Sequence, residues 1–299
     1  YCPAENRAQF AARPLPFLPP PLTVTSYTAL SPAHGIRNSA YSSRDDDETA
    51  DAPDTGLPAD KNAPPPRLKG KTFGLLLHGI MEKLDFHADR QEIRRIVERD
   101  IPLSAPSASE VDYATDVIVR TLALELFPGV RLADIPPEKR LAEMRFHFSL
   151  DTAFRKGELT RRAAEYFSKF VPVDYGDDQE LCNGGYVTGS LDLFFEHGGR
   201  YFVLDWKSNL LPDYSRDSLA DSIAGSCYQL QYLIYLAALV RYLKQRLRLA
   251  VFGENEYEKY IGGVFYVYMR GASAAAPADG IFFDRPDYAE LKKISEVLQ

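Results

Sequence analysis

Two apolar runs, residues 187–195 and 201–206, are rich in Val, Leu, Phe and Tyr and are separated only by the turn signal His197-Gly198-Gly199-Arg200. They predict a β-hairpin. With Gly198-Gly199 as a two-residue primed turn, His197 faces Arg200, and counting back along the ladder sets Asp192 opposite Asp205, with Lys207 on the same face. Residues 141–150 (LAEMRFHFSL) also alternate, placing Ala142, Met144, Phe146 and Phe148 on one face of a strand and Glu143, Arg145 and His147 on the other. A further strand is expected within residues 257–270, where Gly262 and Gly263 lead into VFYVYMR. Helical spacing marks residues 73–84, with Thr72 as N-cap and Leu75, Leu76 and Ile80 inward, and His78 and Glu82 one turn apart. Residues 90–99 and 111–126 read as helices separated by Pro102 and Pro106, and 160–170 as a short one. Residues 217–247 read as a long helix interrupted near Gly225-Ser226, and 287–299 as a terminal amphipathic helix. Strands alternating with helices predict an α/β domain, a sheet covered by helices.

Composition changes this picture mainly at the N-terminus. Residues 1–22 hold Arg13-Pro14-Leu15-Pro16 and Pro19-Pro20-Pro21, which suit an extended tether, and residues 23–30 a short strand leading into a helical turn. Residues 39–66 are acidic, Pro-rich and aromatic-poor, so disorder or a surface loop is expected there. Two regions follow: a tether over 1–66 and one compact domain over 67–299. The net charge of −7 is located mostly in the tether, because the stretch from Arg44 to Lys61 carries seven acids against two bases. No apolar run reaches membrane-spanning length, and no partner membrane is expected. Cys2, Cys182 and Cys227 are scattered, which argues against a disulfide framework or a zinc site and for a reducing, cytoplasmic setting. The opening Tyr1-Cys2-Pro3 reads as a piece of something longer.

The chemistry gathers at the hairpin. Side chains directly opposed on one face of a sheet sit about 5 Å apart, and two carboxylates there repel. A hard divalent cation such as Mg²⁺ offsets that repulsion. Lys207, two residues beyond Asp205, supplies positive charge where a phosphate gains negative charge during displacement. The arrangement points to a metal-dependent phosphodiesterase, against the simpler reading of two solvated surface carboxylates. Glu143 is a candidate third carboxylate or an exposed edge-strand charge; Gln231 and Tyr235, one turn apart in a buried apolar helix, could simply satisfy one another; a lone His78 on a helix is ordinarily structural. Gly70-Lys71-Thr72 is no phosphate-binding loop, since Pro65 stands where that motif needs Gly.

Thr25-Ser26-Tyr27, Leu77-His78-Gly79, Leu141-Ala142-Glu143-Met144, Gly189-Ser190-Leu191-Asp192, Leu204-Asp205-Trp206-Lys207-Ser208-Asn209, Gln231-Tyr232-Leu233-Ile234-Tyr235 and Gly262-Gly263-Val264-Phe265-Tyr266 occur in this order. Together, from about residue 22 to the end, they resemble the C-terminal nuclease domain of the RecB (exodeoxyribonuclease V beta subunit) family, in the PD-(D/E)xK superfamily. The resemblance implies a restriction-endonuclease-like core, a central mixed β-sheet flanked by α-helices, and a Mg²⁺-dependent DNA nuclease, with Mn²⁺ substituting and Ca²⁺ binding without supporting catalysis. It implies His78, Asp192, Asp205 and the Trp206 carbonyl as metal ligands, with Glu143 completing or supporting that shell. Lys207 would orient or activate the water, and Gln231 and Tyr235 would lie along the DNA path. Implied partners are single- and double-stranded DNA, RecC-like and RecD-like subunits and a RecA-type recombinase. Where that family most often has Tyr between Asp and Lys, this chain has Trp206. Relatives that hold an iron–sulfur cluster through four cysteines are set aside by the three present here, and without a P-loop this chain alone is not expected to hydrolyse ATP. Two rival readings share these residues: a catalytically idle module docking partner subunits or a recombinase, and an RNA nuclease.

Overall fold

The computed structural model describes residues 23–26, 30, 65–150, 154–174, 181–182, 185–273 and 279–298. Most of the expected tether, 1–66, lies outside them. In chain order the elements are β1 (Thr23–Ser26), α1 (Gly70–Lys83), α2 (Arg90–Asp100), α3 (Ala108–Leu122), β2 (Glu125–Phe127), β3 (Val130–Arg131) and β4 (Arg140–Leu150). Then come β5 (Phe154–Arg155), α4 (Lys156–Phe167), β6 (Leu181–Cys182), β7 (Gly185–His197), β8 (Arg200–Lys207), α5 (Arg216–Gly225) and α6 (Tyr228–Arg246). The chain closes with α7 (Glu254–Tyr260), β9 (Ile261–Tyr268), β10 (Ile281–Asp284) and α8 (Tyr288–Val297).

The hairpin forms in the expected register. Gly198 and Gly199 have φ of +59° and +80°, the left-handed values a primed turn needs, and His197 pairs with Arg200. β7 carries the sheet. Along one edge it runs antiparallel to β4, and along the other it pairs first with β1, up to Ser26↔Thr188, and then with β8, from Leu193↔Leu204 onward. Between those two neighbours, Gly189 to Asp192 have no strand partner on that edge among the described residues, and the β7–β8 ladder stops one pair short of Asp192 and Asp205. The sheet opens there. β8 continues beside β9 in parallel as far as Lys207↔Tyr268, and β10 adds antiparallel to β9.

Helices cover both faces, giving a mixed sheet inside an α/β domain as expected. One core gathers Val187, Leu191, Phe194, Val203 and Tyr266 with α4, α5, α6 and α8; the other gathers Leu193, Phe195, Leu204, Trp206 and Phe265 with α1, α2 and α3. Leu191 and Phe194 therefore face the same side, which strict alternation forbids. The matching irregularity on β4 is Glu143, whose φ is +50° and which is skipped in the register between Ala142↔Leu193 and Met144↔Leu191. This corrects the expected face of Ala142: it shares the side of Leu193, opposite to Met144, Phe146 and Phe148, because the pleat inverts at Glu143.

Several helix bounds also differ from expectation. α1 begins at Gly70 with Lys69 as its cap, and its buried stripe is Phe73, Leu76, Leu77, Ile80 and Met81, the i, i+3, i+4 set that leaves Leu75 65% exposed. α3 stops at Leu122, since Leu124 and Leu126 turn inward with period two around exposed Glu125 and lead into the β2–β3 hairpin. α4 begins at Lys156. The long helix breaks where expected, after Gly225 with Ser226 as its cap; Cys227 follows with φ of +55°, and α5 and α6 are bent from one another by 84°. No single helix among the described residues is long and apolar enough to cross a membrane.

Buried Asp284 at the end of β10 ties α4 and α6 to the sheet. Its Oδ2 accepts from the hydroxyls of Tyr166 and Tyr232 at 2.6 and 2.8 Å, and Lys169 approaches Oδ1 at 3.3 Å. Burial, then the Asp284 charge, raise the ionisation of both tyrosines far above the usual phenol range, so both hydroxyls stay donors. Asp284→Ala strands both and is expected to cost about 2–4 kcal/mol of stability, read by urea denaturation.

Candidate functional site

The opening between β7 and β8 is the floor of a cleft of about 220 Å³ lined by His78, Asp192, Asp205, Trp206, Lys207, Tyr228, Gln231 and Tyr235, among others. Asp192 sits where β7 loses its strand partner, and its side chain takes over the ladder's role: Oδ2 accepts the Trp206 backbone N–H at 2.9 Å. The same oxygen lies 3.3 Å from Nδ1 of His78, so His78 turns to β7 rather than to Glu82. Glu143 joins from β4, and ligand atoms of His78, Glu143 and Asp192 all lie within 4.8 Å of one another. The left-handed turn of the chain at Glu143 accompanies this approach, and Ser190 Oγ donates to Glu143 Oε2 at 2.7 Å. Conformations of this kind in non-glycine residues cluster at functional sites.

Asp205 and Lys207, alternate residues of β8, face the α6 side of the sheet together and are both buried. Asp205 Oδ2 forms an ion pair with Lys207 Nζ at 2.7 Å and has no other partner among the described residues. Lys207 is held more completely. Its Nζ donates to Gln231 Oε1 at 3.0 Å and lies 3.6 Å from the centre of the Tyr228 ring. Gln231 Oε1 also accepts from the Tyr266 hydroxyl at 2.9 Å, and its Nε2 donates to the Tyr235 hydroxyl at 2.9 Å. Gln231 and Tyr235 thus satisfy one another while both line the cleft.

The charges explain one another. Burial, reinforced by the neighbouring Asp192 carboxylate, pushes Asp205 up to about 6 although Lys207 and His78 pull it down. Burial would discharge Lys207, but Asp205, Tyr228 and Asp192 outweigh it and hold the ammonium charged. Burial likewise opposes charge on His78, and the bond to Asp192 with the charges of Asp192 and Asp205 raises it above the usual imidazole range. Negative charge is in local excess, and among the described residues the buried Asp205 Oδ2 has only the Lys207 ammonium beside it. Oxygen and imidazole ligands in that setting fit a hard divalent cation, with His78, Glu143 and Asp192 in one group and Asp205 beside it.

The residue pattern does not single out Ser190, Tyr228, Tyr266 or Arg270 as functional. Tyr228 lies one helical turn before Gln231, a visible signal; Tyr266 stands beside Asp205 only through the parallel β8–β9 register.

A family model of the PD-(D/E)XK nuclease superfamily matches residues 54–291 of this chain. The RecBCD enzyme subunit RecB of Escherichia coli (strain K12) is 29% identical over 284 residues, covering 92% of this chain and 23% of that protein. RecB of Haemophilus influenzae is 30% identical over 236 residues, 77% of this chain and 18% of that protein. RecB of Mycobacterium tuberculosis (strain H37Rv) is 29% identical over 315 residues, 93% of this chain and 27% of that protein. The chain therefore spans about a quarter or less of the length of these relatives. A mixed sheet between two helical layers, opened at the Asp192 box and closed by the Asp205-Trp206-Lys207 strand, agrees with a match over most of the sequence: the chain belongs to the PD-(D/E)XK nuclease superfamily.

Proposed function

We propose that this chain is a Mg²⁺-dependent deoxyribonuclease domain of the exodeoxyribonuclease V type, working in the cytoplasm within a RecBCD-like helicase–nuclease complex. One observation carries the reading: His78, Glu143 and Asp192 converge within 4.8 Å, and His78 and Asp192 line the cleft that also holds Asp205 and Lys207. The relatives' name, RecBCD enzyme subunit RecB, supports a complex with RecC-like and RecD-like subunits; a RecA-type recombinase is a further partner in this proposal.

In this reading His78, Asp192 and Asp205 hold the ion, the Trp206 carbonyl adds to them, and Glu143 completes the shell. When bound, the ion supplies Lewis acidity toward the phosphate and lowers the pKa of a coordinated water. Lys207 presents its ammonium to the charge that develops on the scissile phosphate, held in place by Asp205, Gln231 and the Tyr228 ring. Gln231 and Tyr235, on the wall of the cleft, meet the DNA and at the same time fix Lys207.

Digestion of linear single- and double-stranded DNA tests this. Cleavage is expected with Mg²⁺ or Mn²⁺, not with Ca²⁺ or EDTA, and His78→Ala is expected to raise the Mg²⁺ needed for half-maximal rate at least about tenfold. Cleavage indifferent to EDTA, or none by any form with the partner subunits present, overturns the reading; preference for an RNA competitor reassigns the substrate.

A further inference from the structure

Arg270 follows β9 in a short turn, Met269–Gly271, and is buried. It has no carboxylate partner among the described residues; instead it spans three separate segments. Nε donates to the Ser208 carbonyl at 2.6 Å, one residue after Lys207. One terminal nitrogen donates to the Leu68 carbonyl at 3.1 Å, just before α1, and the other to the Tyr113 hydroxyl of α3 at 2.9 Å. The guanidinium carbon lies 4.5 Å from the centre of the Phe73 ring on α1. A planar fork that bonds two carbonyls while stacking on a ring is something Lys cannot reproduce.

The second observation is how closely α1 passes β8. A Cβ built on Gly74 would stand 2.7 Å from Ser208 Oγ and 3.7 Å from Ser208 Cβ. Gly74 is one turn before His78 on α1, and Ser208 is the residue after Lys207. The joint between these two elements therefore sets how far the His78 side of the cleft stands from the Asp205–Lys207 side. A buried charge that forgoes a carboxylate to bond both sides of this joint is a strut across it.

We propose that Arg270, with the Gly74–Ser208 contact, is a positioning device for the metal centre, fixing the separation between the helix bearing His78 and the strand bearing Asp205 and Lys207. This rests on the nuclease reading above. It acts through the spacing of other ligands, so its signature is metal affinity rather than chemistry at saturating metal.

The test uses the whole chain, Mn²⁺ titration by calorimetry and Mg²⁺-dependence of DNA cleavage. Arg270→Lys is expected to weaken Mn²⁺ binding and raise the half-saturating Mg²⁺ about tenfold, with most of kcat recovered at saturating metal. Gly74→Ala is expected to give the same split, and Ser208→Ala added to it, measured against Ser208→Ala alone, to restore metal affinity because only the 3.7 Å contact remains. The suppressor keeps the test valid even if Arg270→Lys does not fold. Unchanged metal affinity in Gly74→Ala, or no recovery in the double variant, overturns the proposal. A wild type that neither binds Mn²⁺ nor cleaves with Mg²⁺ overturns instead the nuclease reading beneath it.

Discussion

Asp205→Asn is expected to lower Mg²⁺-dependent cleavage about 10³-fold while raising the melting temperature of the metal-free protein. Both effects come from one carboxylate. Asp205 is buried beside Asp192, and its ionisation is pushed up to about 6 despite Lys207 at 2.7 Å. A carboxyl whose folded-state value lies above its ordinary 3.8 is penalised for being charged, so the penalty is complete above about pH 6 and vanishes as pH falls toward 3.8. Asparagine never incurs it. In EDTA the variant's advantage is therefore expected to be largest at neutral pH and to shrink through the window between those values. Adding Mn²⁺ should reverse the order, stabilising the wild type by mass action and the variant far less. A variant that melts lower than the wild type at neutral pH without metal would show that the Lys207 pair outweighs the repulsion.

That trade-off is legible in the sequence only in outline. Two acids within apolar runs, joined by Gly198-Gly199, disclose the hairpin and its register, because φ above zero at both turn positions demands glycine and the period-two pattern fixes the faces. What the pattern could not disclose is that the ladder ends at Leu193↔Leu204, so that Asp192 binds the Trp206 amide in place of a strand partner. Nor does a glutamate in an alternating strand announce a φ of +50°. Alternation assumed to continue through Glu143 put Ala142 on the wrong face, while the conformation that inverts the pleat accompanies the carboxylate's approach to His78 and Asp192. Leu75 failed for a related reason: an apolar residue beside the stripe was counted into it. Arg270 was invisible because its partners, Leu68, Tyr113 and Ser208, are 202, 157 and 62 residues away. Local pattern finds what the backbone does within one element; the cleft is made where elements part, and such places are set by contacts no short window contains.

Lys207→Met is expected to be nearly as damaging to cleavage, about 10²- to 10³-fold, with the opposite effect on everything else. Methionine keeps a long unbranched stem but offers nothing to Gln231 Oε1 and leaves Asp205 buried without the ammonium that favours its charge. Burial and Asp192 already disfavour charge on Asp205, whereas Lys207 is held charged against burial by Asp205, so the lysine is the costly side of this pair to remove: the metal-free variant should lose about 3 kcal/mol or more, read by denaturant unfolding in EDTA. The same change removes a positive charge next to the metal ligands. By Coulomb's law a divalent ion should then bind at least as tightly as to the wild type, and calorimetric Mn²⁺ binding should persist in a protein that no longer cuts. Asp205→Asn and Lys207→Met thus pull apart along two axes: one stabilises the metal-free fold and loses the ion, the other destabilises the fold and keeps it. If Lys207 serves only to neutralise Asp205, supplying metal should restore cleavage along with stability. Recovery of stability without recovery of cleavage places the ammonium in the chemical step itself.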